Sequence, residues 1–122
     1  MGAWRIRSIA MAAAAIALAC ESTPPPRDAL GEAEEAIARA KARDAAEHAP
    51  LQLRQAEDKL AEARAAARDD DKYGTARRLA EQAQVDAQVA LAESEKAQAK
   101  ENFDELSRTV RALEEEIEHE QR

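Results

Sequence analysis

From Thr75 to about Glu118 the sequence offers no glycine, no proline and no cluster of turn-forming residues. A breaker-free stretch of some 45 residues, rich in Ala, Glu, Gln, Lys, Arg and Leu, favours one conformation, a single α-helix about 65 Å long. A rod of that length cannot be wrapped on every side by the rest of a 122-residue chain. Two seams run along it. Leu79, Ala83, Ala87 and Ala90 form a small-residue face suited to close packing. Val85, Val89, Ala92, Lys96, Ala99, Phe103, Leu106, Val110, Leu113 and Ile117 alternate spacings of four and three, which is a heptad repeat. Its last five members are all large and apolar. The pairs Asp104–Arg108, Arg111–Glu115 and Glu118–Arg122 stand at i, i+4, the spacing at which opposite charges support a helix.

Two shorter helices are predicted before it. The first runs from about Ala29 to Glu47 behind an Asp28 N-cap, with Leu30, Ala33, Ile37 and Ala40 on one face and Gly31 as a mild defect. Ala49-Pro50 ends it, since a residue before proline is driven out of the helical region while proline suits the first turn of a new helix. The second runs from Pro50 to about Arg68 on Leu53, Ala56, Leu60, Ala63 and Ala67. Asp69-Asp70-Asp71 interrupts, followed by Gly74, so the long helix is expected to begin between Asp71 and Thr75.

Composition decides what these helices can enclose. The hydrophobic fraction is 45%, but alanine supplies most of it and aromatics are only 2%. Beyond residue 20 the large aliphatics are eight leucines, two isoleucines and three valines. Each buried large side chain contributes about 1.5–3 kcal/mol and alanine much less, so no deep core is possible. The fold class is all-α: an elongated bundle or hairpin of three helices, the last long and coiled-coil-like.

The other end of the chain reads as an export signal. Arg5 and Arg7 precede an uninterrupted apolar run, Ile9 to Ala19, ending in Ala17-Leu18-Ala19 before Cys20. The run is shorter than the roughly 20 residues needed to span a bilayer, and it matches a secretory h-region of about 7–15. With the chain's single cysteine at its edge, the segment looks like a bacterial lipobox, with cleavage between Ala19 and Cys20 and a diacylglycerol plus an N-acyl group on Cys20. An ordinary signal cut at Ala17-Leu18-Ala19 is the alternative. The expected layout is a signal peptide over 1–19, a lipidated cysteine and Pro-rich tether over 20–27 (Pro24-Pro25-Pro26), and a helical domain over 28–122. No other cofactor is expected. Glu21 is not the aspartate that retains lipoproteins in the inner membrane, so the predicted location is the outer membrane of a Gram-negative cell envelope, facing the periplasm.

The same residues argue against several chemistries. The net charge is −7, and it becomes more negative once Arg5 and Arg7 leave with the leader. Such a chain repels phosphate backbones, so no nucleic-acid partner is expected. His48 and His119 are the only histidines, and His119 with Glu115 and Glu116 reads as a solvated helix end rather than a metal site. Asp69-Asp70-Asp71 lacks the alternating ligands and distal glutamate of a calcium loop. The three glycines stand alone, so there is no phosphate loop. Serines and threonines have no recognisable histidine partner. Neither catalysis nor a small-molecule substrate is expected.

From Glu34 to Glu118 the chain resembles DUF4398, a family of bacterial envelope proteins. The resemblance lies in EEAIARAKARDAAEHAPLQLRQAEDKLAEA, in KYGTARRLAEQAQVDAQVALAESEKAQA and in ELSRTVRALEEEI. Its most specific elements are Ala49-Pro50 with Leu53, then Tyr73, Ala76 and Arg77, then the Leu79–Ala83 segment; His48 stands where an aromatic is expected. Members are often lipoproteins, some with an added OmpA-like domain, and the resemblance implies no known activity. The expected role is a non-catalytic envelope scaffold or interaction protein. The alternative is a TPR-like peptide- or protein-binding module, an adaptor or chaperone using the hairpin of the second and third helices. Val85 to Ala99 is expected to pack on the shorter helices. Phe103, Leu106, Val110, Leu113 and Ile117 lie beyond their reach and are expected to meet a second copy or an envelope partner.

Overall fold

The structure is a computed structural model and describes residues 23–122. The signal segment, its cleavage point and Cys20 lie outside the described residues. The elements are α1 (Arg27–Lys41), α2 (Ala45–His48), α3 (Pro50–Ala66), a 3-10 turn (Asp70–Lys72) and α4 (Tyr73–Glu120). There is no strand among the described residues. The fold is all-α, three principal helices with the last by far the longest.

Each helix buries one narrow stripe. In α3 it is Leu53, Ala56, Leu60 and Ala63; in α1 it is Ala29, Ala33, Ala36, Ile37 and Ala40. In α4 it is Ala76, Ala80, Ala83, Ala87, Ala90 and Ser94, alternating four and three. Apart from Ile37, Leu53 and Leu60, every buried hydrophobic residue is alanine. With methyl groups as spacers the three helix axes can approach closely, so cohesion comes from backbone proximity more than from large side chains. Leu30, Leu79 and Leu91 close the rim of this core, half-buried.

Ion pairs between helices fix the topology. Arg64 of α3 meets Glu34 of α1 at 2.6 Å, and Lys41 of α1 meets Glu57 of α3 at 2.5 Å, so the two run antiparallel. Lys59 of α3 meets Asp86 at 2.5 Å, and His48, at the end of α2 just before α3, lies 4.0 Å from Glu101, so α3 is also antiparallel to α4. Arg43, just past α1, reaches Glu95 at 4.0 Å, which leaves α1 parallel to α4. The body therefore covers α4 from Tyr73 to about Glu101. Beyond it α4 continues alone for some 19 residues, about 28 Å.

Several expectations need correcting. The first helix does not run through to Glu47. It stops at Lys41, and Asp44 takes a left-handed conformation (φ 57°) before α2 begins. Asp is one of the few residues that tolerate this region, and α4 holds the break in place. Ser94 Oγ donates to the Arg43 carbonyl, Gln98 Nε2 donates to the same oxygen at 3.0 Å, and Gln98 Nε2 also reaches Asp44 Oδ2 at 3.1 Å. Asp28 does not cap α1, which starts one residue earlier behind Pro26 with no side-chain cap. Pro26 is fully buried, so the last proline of the expected tether belongs to the folded body. The helix α3 ends at Ala66, slightly before the expected Arg68, while α4 begins at Tyr73 as the sequence suggests.

Candidate functional site

The heptad seam of α4 is exposed along its whole length. Seam positions 85, 89, 92, 96, 99, 103, 106, 110, 113 and 117 are all exposed, and the large apolar members range from 42% exposure at Val89 to 68% at Phe103. Val85 to Ala99 therefore does not pack on the shorter helices. The reason is angular. The buried stripe sits at 83, 87, 90 and 94, and the seam lies two residues further on at 85, 89, 92 and 96. Two residues turn a helix by about 200°, which places the seam on nearly the opposite side. The smaller side chains won the inner face because three closely packed axes leave room for a methyl group and not for valine. The result is one stripe that crosses from the covered half of α4 to the free half, broken only by the charged Lys96.

Phe103, Leu106, Val110, Leu113 and Ile117 share that stripe as the sequence predicts, and no other helix touches them. Around them the helix is supported locally. Lys100 Nζ donates to Asp104 Oδ2 at 2.9 Å, which holds the Asp104 carboxyl below the usual carboxylate range and raises Lys100. Asp104 thus pairs back toward Lys100 and forms no ion pair with Arg108. Neither Arg111–Glu115 nor Glu118–Arg122 is closed as an ion pair.

The other candidates resolve as local structure. The triple-aspartate segment is a turn tied by its own side chains: Asp69 Oδ2 accepts from Lys72 at 2.6 Å, and Tyr73 Oη donates to Asp70 Oδ1 at 2.6 Å. The first bond lowers the Asp69 pKa and the second raises that of the Tyr73 hydroxyl. His119 is exposed at the end of α4. Among the described residues no group of three or more His, Cys, Asp or Glu side chains is placed to hold a metal ion. No described helix is long and apolar enough to cross a membrane. On the hairpin side, α1 packs against both α3 and α4 around their shared alanine core.

Sequence reasoning missed the polar clamp of Ser94, Gln98, Arg43 and Asp44. A signal for it existed, because Ser94 is the next step of the four–three series Ala76, Ala80, Ala83, Ala87, Ala90. A polar residue at an inward position requires a partner, and here the partner is the frayed end of α1.

No curated protein matches the chain, and no solved structure does. Residues 28–106 match the family described as a domain of unknown function, DUF4398. The match takes in all three principal helices and the first turn or so of the free part of α4, and covers more than half of the sequence. The chain is a member of the DUF4398 family.

Proposed function

We propose that this protein is a non-catalytic lipoprotein of the bacterial envelope, tethered to the outer membrane by acyl chains on Cys20. In this reading it presents α4 in the periplasm as an interaction rod. The observation that carries the reading is the uncovered seam from Val85 to Ile117, since its distal run of five large exposed apolar residues, Phe103 to Ile117, is a liability unless something docks on it. The alanine-lined body provides a rigid base for the helix. The lipobox-like run ending at Cys20 supports attachment to a membrane. The TPR-like alternative draws no comparable support, because α1 fills the space where a peptide would lie between α3 and α4.

The test is to replace Leu106 and Leu113 together by Glu in the full-length chain and to follow chemical crosslinking in intact cells. The parent is expected to form crosslinked species, with itself or with an envelope protein, and the double variant is expected to lose them. The body should keep its stability to within about 0.5 kcal/mol, because both positions are exposed. Crosslinked species that survive both charges would remove the stripe from the interface and the interaction reading with it.

A further inference from the structure

Resting on that reading, we infer that the partner of the seam is a second copy of this chain, and that the two α4 helices pair as a parallel, in-register two-stranded coiled coil. The spacing assigns the heptad positions without ambiguity: Val89, Lys96, Phe103, Val110 and Ile117 fall at a, and Val85, Ala92, Ala99, Leu106 and Leu113 fall at d. In the distal half, β-branched Val110 and Ile117 at a alternate with Leu106 and Leu113 at d. That is the combination that favours two parallel strands. Lys96 is a single charged residue at a, the kind of position that sets register and strand number at some cost in stability.

The flanking charges agree. In a parallel pair, each g residue faces the e residue five positions further along the other strand. Glu95 is at g and Lys100 at e, so Glu95 of each copy meets Lys100 of the other, and this attraction occurs twice by symmetry. The remaining g-to-e combinations are Gln88 with Glu93, Asn102 with Ser107, Thr109 with Glu114, and Glu116 with Gln121, and none sets like charges together. Lys96 at a also lies beside Glu95 of the opposite strand. Antiparallel strands with the seams fully overlapped lose this. There e flanks e and g flanks g, so Glu95 meets Asn102 or Thr109, Lys100 meets Ser107 or itself, and Lys96 is set against Leu106. Lys100 already holds Asp104 at 2.9 Å, yet its side chain is exposed and an ammonium has three donors, enough for both carboxylates. The body packs mainly on the opposite side of α4, and where Arg43 approaches Glu95 at 4.0 Å both side chains are exposed, so Glu95 can still meet Lys100 of the other copy.

The test uses the full-length chain with Leu106→Cys, oxidised in membranes, and the parent carrying Cys20 alone as control. In-register parallel strands bring a d residue opposite its own copy, within the roughly 4.4–6.8 Å Cα separation that a disulfide needs. Leu106→Cys and Leu113→Cys are expected to give disulfide-linked dimers, whereas Arg108→Cys, on the far side of the helix, is not. Glu95→Lys or Lys100→Glu in the Leu106→Cys background should lower dimer yield about fivefold, and the two together should restore it. Three outcomes overturn the proposal: co-expressed Leu106→Cys and Lys96→Cys copies linking to each other in preference to 106 with 106, single charge exchanges that change nothing, or no self-linked dimer at all. The last, accompanied by capture of a different protein that the Leu106/Leu113 double glutamate abolishes, would leave the interaction reading standing while removing the self-pairing.

Discussion

Ser94 occupies the one inward position of α4 that is not alanine, and its hydroxyl serves the carbonyl that α1 leaves open at Arg43. With Gln98 beside it, the break between α1 and α2 is stabilised from another element instead of by a local cap. Ser94→Ala should cost about 1 kcal/mol, since Gln98 still covers the oxygen. Amide exchange should rise first at Asp44 to Glu47 while the α3–α4 pair stays protected; uniform loosening of the whole body would contradict this assignment. The left-handed Asp44 explains why the break escaped the sequence reading: Ala42-Arg43-Asp44 contains neither glycine nor proline, so nothing in the sequence interrupts the helical pattern of α1. Asp tolerates that conformation, but the contacts from Ser94 and Gln98 decide it.

At the scale of the element, α4 carries two seams of the same four–three rhythm on opposite sides, one of methyl groups and one of larger residues. Both were legible as spacings. The inward packing of Ala83, Ala87 and Ala90 was legible too, but the outward turn of Val85 and Val89 was not, because size normally argues that valine packs inward. Here the order is reversed by the closeness of three helix axes, a property of the assembled body. The two faces should therefore respond differently to the same kind of change. Ala83→Leu, at a position with no exposure, should destabilise the body by about 1–3 kcal/mol through overpacking. Val85→Leu, two residues away and exposed, should leave it nearly unchanged. Chemical denaturation of the pair of variants checks the assignment, and equal losses would place Val85 in the core. The Ala49-Pro50 junction, the start of α4 at Tyr73 and the stripe of α3 were readable because each depends on residues adjacent in sequence.

For the whole molecule, a core with three large side chains and a rim of half-buried leucines implies modest stability, and most ion pairs between helices, Lys59–Asp86 being the part-buried exception, are exposed and each worth little. Membrane attachment in the proposed function depends on one atom, the Cys20 sulfur. Cys20→Ala is expected to abolish metabolic palmitate labelling and to leave the chain uncut or released from the membrane fraction. Labelling that persisted would refute the lipoprotein assignment, since the sequence has no second cysteine.

The polarity of the body has a further consequence. Pro24 and Pro25 lie beside Asp70, Asp71, Tyr73 and Gly74, at the end of the body where α4 begins, so the N-terminal approach and the free tip of α4 stand at opposite ends. The helix Tyr73–Glu120 has 48 residues and is about 72 Å long. The six peptide links from Cys20 to Pro26 add at most about 20 Å. A chain attached at Cys20 therefore acts as a ruler, able to carry its tip up to about 90 Å from the anchoring surface. Its graduations are heptads: deleting residues 103–109 would shorten the ruler by about 10 Å while keeping the distal stripe in phase with the proximal one, whereas deleting five residues would shorten it less and turn the distal stripe by about 140°.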